Sequence, residues 1–326
     1  MKMKLMATMK ARLCIAAAAL GLLVSCGGGT EQIEPFAPTR LLVFGDEMSV
    51  LTKTPVLGRK YSVNALDATT AQISCALFPL WTQVLANTYL FAFEECNTAG
   101  VLVPQGKIYA KVGAKTTDFE AQVAEAQAAA GGFTTTDLVT VLLGANDVLD
   151  LYQNQYLPNP TANTANAIIA ELQARGMRLG QQINALTELG PRVILSTMPL
   201  MGLTPYALRE VINSGDAQRA ALLNNFSNAF NTAVRVNIVN DGHYIGLVEL
   251  DALVNAAVAS PTQYGFVNVT QGVCSVALPN CSTATLVTTA TNAATTWLWA
   301  SDLWMGTTAH LTLGNFARGR ALGNPF

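Results

Sequence analysis

Arg40-Leu41-Leu42-Val43-Phe44-Gly45-Asp46-Glu47-Met48-Ser49 is the stretch from which the rest of the chain is read. Its apolar run, closed by Gly45-Asp46, reads as a short buried strand of a parallel sheet. Downstream, strand and helix patterns alternate. Trp81, Val84, Leu85 and Tyr89 recur at helical spacing within 79–92, and 108–113 reads as a second strand. Residues 117–130 read as a helix stopped by Gly131-Gly132. A strand over 138–143 enters Gly144-Ala145-Asn146-Asp147, and a long helical pattern over 164–189 ends at Gly190-Pro191. Strands over 192–196 and 244–250, and helices over 217–236 and 309–322, complete the pattern. The Thr-rich stretch 282–296 has little hydrophobic period and reads as a loop or a β insertion. This alternation predicts an α/β fold with an open parallel sheet and right-handed crossovers. Such sheets bind ligands at the carboxyl ends of their strands. Gly45, Gly113 and Gly144 each follow an expected strand, so all three are expected at one cleft.

The first stretch resembles the opening signature of the SGNH/GDSL esterase/lipase family of hydrolases, in which an apolar strand runs into Phe-Gly-Asp-Ser and the serine attacks an ester carbonyl. Phe44, Gly45 and Asp46 match, but Glu47 stands at the nucleophile position. Lys111-Val-Gly-Ala-Lys-Thr-Thr-Asp-Phe119, with Gln122, is similar to the second block; Gly113 matches the glycine whose N–H serves the oxyanion hole. Leu142-Leu-Gly-Ala-Asn-Asp147 is similar to the third, and Asn146 matches its other donor. The Pro-rich turn Thr197–Pro205 and Tyr264-Gly-Phe-Val-Asn268 also resemble family segments, so the match runs in order from about Arg40 to Phe326. The resemblance implies a three-layer, flavodoxin-like α/β fold and ester or acyl hydrolysis with no metal or organic cofactor.

The altered residue changes the chemistry. A carboxylate attacking an ester would form an anhydride, a poor intermediate, and its charge would compete for the donors that await the oxyanion. Ser49 lies two residues on, in the first turn after the strand, and points away from the residue-47 direction if that turn is regular. A capping or otherwise satisfied hydroxyl is the expected role for Ser49. The family's last block is Asp-x-x-His-Pro-Thr, and two alignments are open. The gapless one puts Ser301 at the aspartate and Trp304 at the histidine, leaving His310 as a trailing residue. The other takes Asp302 as the acid and His310 as the base, with about five extra residues between them. The gapless reading is preferred. His243 is expected to be a surface or structural residue. Trp297 and Trp299 could form a sugar-stacking platform, but packing at alternating strand positions is the commoner reading.

Composition and the amino-terminal segment set the context. Hydrophobic residues make up 51% of the 326, enough for a large core, while charged residues are 12% and the net charge is −2. No basic run suggests nucleic acid. Lys2, Lys4, Lys10 and Arg12 precede an apolar run from Cys14 to Val24, the pattern of a signal peptide over 1–25. Leu23-Val24-Ser25-Cys26 resembles a bacterial lipobox, which implies lipid on Cys26 and membrane attachment through it. No aspartate follows Cys26, which by the same resemblance favours the outer membrane of a Gram-negative envelope. Residues 26–38 read as a tether and 39–326 as the hydrolase-like domain. Setting Cys14 and Cys26 aside leaves Cys75, Cys96, Cys274 and Cys281. An even number in an exported chain suggests two disulfides, and proximity favours Cys75–Cys96 and Cys274–Cys281. Neither pair has metal-ligand spacing. Three functions therefore stand open. The chain could be an ester hydrolase with an altered active site, a binding module for a glycan, acyl or carboxylate ligand, or a structural envelope lipoprotein.

Overall fold

Leu41, Leu42, Val43 and Phe44 are all fully buried: they form a strand with a paired neighbour on each side, in a parallel sheet covered on both faces. A computed structural model of the protein describes residues 35–54 and 57–323. The expected signal peptide over 1–25, Cys26 and most of the tether lie outside the described residues.

In chain order the elements are β1 (Arg40–Gly45), α1 (Trp81–Thr88), β2 (Gly106–Ile108), α2 (Phe119–Ala130) and β3 (Asp137–Leu142). Then come α3 (Ala145–Leu151), α4 (Ala162–Glu188), β4 (Arg192–Ser196), α5 (Pro205–Ser214) and α6 (Gln218–Asn237). The chain continues through β5 (Ile245–Val248), α7 (Leu250–Ala259), β6 (Asn268–Gly272), α8 (Ala293–Thr296), β7 (Trp297–Trp299) and α9 (Thr307–Ala321). The five-stranded sheet has the order β2-β1-β3-β4-β5, and every pairing in it is parallel. Helices flank it in the three-layer arrangement, with α4 packed on α6 and α1 packed on α9. The order places a topological switch between β1 and β3, since the chain leaves β1 for β2 on one side and returns to β3 on the other. Crevices of ligand-binding α/β sheets open at such a point.

Several expected boundaries move, each for a local reason. β2 ends at Ile108 because Tyr109 and Ala110 both donate to Val43 O and Lys111 donates to Gly45 O, which peels the chain off the ladder. α1 is shorter than the 79–92 pattern: Leu90 takes a positive φ of 60°, and Phe91 N–H turns back to Ala86 O. The expected disulfides Cys75–Cys96 and Cys274–Cys281 are both formed. The Thr-rich stretch is mostly loop, anchored by bridges Asn64–Ser282 and Cys274–Leu286, and it leads through α8 into β7. β7 pairs with β6 to form a separate two-stranded ribbon. Trp299 is fully buried and donates its indole N–H to Val269 O at 3.0 Å, the packing role, whereas Trp297 is half-buried. Among the described residues no helix is long and apolar enough to cross a membrane.

Candidate active site

The site is built where β1, β2 and β3 end. Asp46 caps a single 3₁₀ turn, Glu47–Ser49, its Oδ1 accepting from Met48 N–H at 3.0 Å. That turn delivers Glu47 towards the loop after β2 and the start of α3. Glu47 Oε1 accepts the Gly113 N–H at 2.8 Å, and Oε2 accepts the Asn146 side-chain amide at 2.9 Å. The other hydrogen of that amide reaches Ala114 O at 3.1 Å. Both donors matched to an oxyanion hole therefore converge on one carboxylate. Gly113 has φ +75°, a left-handed conformation that an L side chain resists, and this turns its N–H towards Glu47. Glu47 is itself buried, at 6% exposure, while Gly113 lies at the surface.

Two buried side chains hold this frame. Gln122 clamps Gly45 from both sides, its Oε1 accepting the glycine N–H and its Nε2 donating to the glycine C=O, each at 2.9 Å. Asp147, fully buried, accepts from Thr116 N–H at 2.9 Å, Thr116 Oγ1 at 2.8 Å and Arg175 Nη1 at 3.0 Å. It thereby ties the Gly113 loop to α3 and to α4. Burial pushes the Asp147 carboxyl up, and those hydrogen bonds oppose the shift. Asp46 is held well above the usual carboxylate range, first by burial and then by the charge of Glu47 beside it. Its Oδ2 has no hydrogen-bond partner, consistent with a neutral carboxyl there.

The remaining candidates do not assemble around Glu47. Ser49 is fully buried, and its Oγ accepts the Trp81 indole N–H at 3.2 Å, which leaves it a satisfied structural hydroxyl. The reading of Asp302 and His310 as an acid–base pair is corrected. Asp302 forms an ion pair with Arg209, and His310 lies in α9 with neither ring nitrogen hydrogen-bonded. Burial, with the charge of Lys60 adding to it, lowers the His310 imidazole to about 3. Trp304, at the histidine position of the gapless alignment, is 9% exposed, and its backbone N–H caps on Ser301 Oγ at 3.2 Å. His243 is exposed, with Nδ1 2.9 Å from Asp241 Oδ1. Neither histidine of the chain contacts Glu47 or Ser49 by a hydrogen bond.

Sequence reading did not single out three contributors. Tyr61 lies close enough to Glu47 for the carboxylate charge to raise its phenol, burial being the larger cause. Arg175 reaches Asp147 from α4, and Lys60 is buried near His310. None of the three sits in a quoted block. Arg175 could be read only as a charged residue within the long helical pattern, and nothing in the sequence sets Lys60 or Tyr61 apart.

Comparison with known proteins gives the chain its relations. The family model for GDSL-like lipase/acylhydrolases matches residues 79–297. No curated protein sequence matches significantly. Among solved structures, an acetylxylan esterase from Geobacillus stearothermophilus is similar at 13% identity and a TM-score of 0.44, covering 88% of this chain and 96% of that one. A lipolytic protein of the G-D-S-L family from Veillonella parvula is similar at 10% identity and a TM-score of 0.42, covering 85% and 95%. An extracellular lipase from Streptomyces rimosus is similar at 16% identity and a TM-score of 0.39, covering 66% and 81%.

Proposed function

The chain belongs to the GDSL-like lipase/acylhydrolase family, and from that premise we propose that this member has an altered active site, does not cleave esters through residue 47, and serves to bind a ligand. One observation carries this reading: the Glu47 carboxylate accepts hydrogen bonds from both Gly113 N–H and the Asn146 amide. Acyl transfer needs donors that meet negative charge as it develops, and losing one such donor costs about 10²–10³ in rate. Here both already hold a resident anion. A carbonyl oxygen would have to displace it, and the nucleophile would then be a carboxylate with no imidazole within hydrogen-bonding contact. An anionic ligand directed at these donors would meet the same competition, so of the candidate ligands a neutral one suits the cleft better than a carboxylate.

The activity test uses the purified protein with short-chain p-nitrophenyl esters and a serine-directed fluorophosphonate. No turnover above background and no labelling are expected. Glu47→Ser should remain a poor esterase, because reopening the donors does not supply a base. Robust hydrolysis by the natural protein, lost in Glu47→Ala or Ser49→Ala, would sink the proposal.

The setting proposed for this activity is an envelope surface, with lipid on Cys26 holding the domain to the outer membrane. The basic residues, apolar run and lipobox-like Leu23–Cys26 support it. Cys26→Ala should leave the protein unprocessed or shed it from membranes in fractionation. Unchanged membrane association and gel mobility would count against the anchor.

A further inference from the structure

A groove of about 780 Å³ runs between α5 and the β6–β7 ribbon. Leu208, Arg209 and Ile212 of α5 form one wall, Gln271 of β6 stands opposite, and Trp297 and Asp302 lie along it. Trp297 packs in part on the smaller apolar cluster beneath the ribbon, and the remainder of this half-buried side chain borders the groove. Ile212 is 77% exposed, so its side chain presents apolar surface to a ligand in the groove.

The groove is held in shape. Asp302 forms an ion pair with Arg209, and Asp302 O accepts the Tyr206 N–H at 3.0 Å, so the loop after β7 is fixed to α5 at two points. Gly272 lets β6 close on the same loop: a Cβ at 272 would fall 2.7 Å from Ser301 Cα.

We propose that this groove binds a neutral oligosaccharide. The charged lining residues, Arg209 and Asp302, neutralise each other, so no net field selects an ionic ligand. Both remain about half exposed, and each keeps further hydrogen-bonding capacity at the rim. A guanidinium, a carboxylate and the Gln271 carboxamide are groups that engage paired hydroxyls in a plane. The Trp297 indole and the aliphatic side chains of Leu208 and Ile212 offer the apolar surface that the C–H faces of a sugar ring cover. A pyranose chain presents both kinds of surface, hydroxyl edges and C–H faces. An acyl chain would leave the charged rim desolvated and without new partners. This inference goes beyond the reading of Glu47 and does not depend on whether residue 47 turns over an ester.

The test is titration of the purified protein with neutral oligosaccharides derived from xylan, glucan, mannan and chitin, followed by tryptophan fluorescence and calorimetry. At least one should bind and shift the emission. Trp297→Ala should weaken it about tenfold or more, and Trp297→Phe, which keeps an aromatic face, should retain most of the affinity. Arg209→Ala, on the exposed rim, should weaken it several-fold. The thermal transition of each variant reports whether it folds; should Trp297→Ala fail to fold, Trp297→Phe and Arg209→Ala carry the comparison. Binding by none of the four classes would overturn the proposal, as would binding indifferent to these substitutions. So would a preference for an acyl chain, an extended peptide or an acidic saccharide. Ester turnover by the natural protein would sink the earlier reading of Glu47 and leave this one standing.

Discussion

Lys60 is fully buried, and its Nζ donates to Leu77 O at 2.5 Å, with no acidic side chain in ion-pair range among the described residues. Burial lowers its ammonium from 10.5 to about 7. His310, buried nearby, falls from 6.5 to about 3. In both cases the unfolded chain holds the proton more tightly than the folded one. Stability therefore rises with pH between about 7 and 10.5 on account of Lys60, and falls as pH is lowered from 6.5 towards 3 on account of His310. Asp46 runs the other way: its raised carboxyl favours the folded state at low pH and loses that advantage as pH rises above the unfolded value. Urea midpoints at pH 7 and pH 10 should show the natural protein gaining stability at the higher pH. Lys60→Met should abolish most of that gain and be the more stable protein at pH 7, by an amount on the order of a few kcal/mol. Equal slopes for the two proteins would show that Lys60 is solvated or paired. His310→Leu should likewise blunt the loss below pH 6.5.

At the scale of elements, the site draws on turns for Glu47 and Gly113 and on helices for Asn146, Asp147, Gln122 and Arg175. Cys75–Cys96, with a sequence separation of 21, bridges the two segments flanking α1. Loops of this length confer about 3 kcal/mol when closed. The double variant Cys75→Ala/Cys96→Ala should lose stability of that order in reversible denaturant unfolding, and an unchanged midpoint would show that the packing of α1 on α9 already fixes the segment. The ends of β1 and β3 were legible in the sequence because apolar runs that stop at glycine leave few alternatives; the end of β2 was not, since Gly106–Ile108 is short and mixed and Gly113 lies five residues beyond it. The contacts of Asp302 were not legible. Its partner Arg209 is 93 residues away on α5, and no spacing or composition ties the two. His310 misled for a related reason. An isolated histidine in a helical pattern carries no sign of whether its face turns to the cleft or to the core, and here it turns to the core.

For the whole molecule, the parallel order β2-β1-β3-β4-β5 puts the ends of β1 and β3 side by side at the switch, so Glu47 and Asn146 meet although they are 99 residues apart. The sheet and its family frame could be read from the chain because every block follows its strand. The occupancy of the donors could only be anticipated as chemistry, since it depends on the reach of one side chain. Its consequence is mechanical. A catalyst of this architecture keeps two polar groups aimed at empty space and relies on the surrounding packing to hold three loops apart from solvent-driven drift; such preorganisation is a standing strain on the fold. In this chain the Glu47 side chain spans the gap and rivets the three strand ends together, so the crevice that elsewhere must be braced from behind is here braced from within.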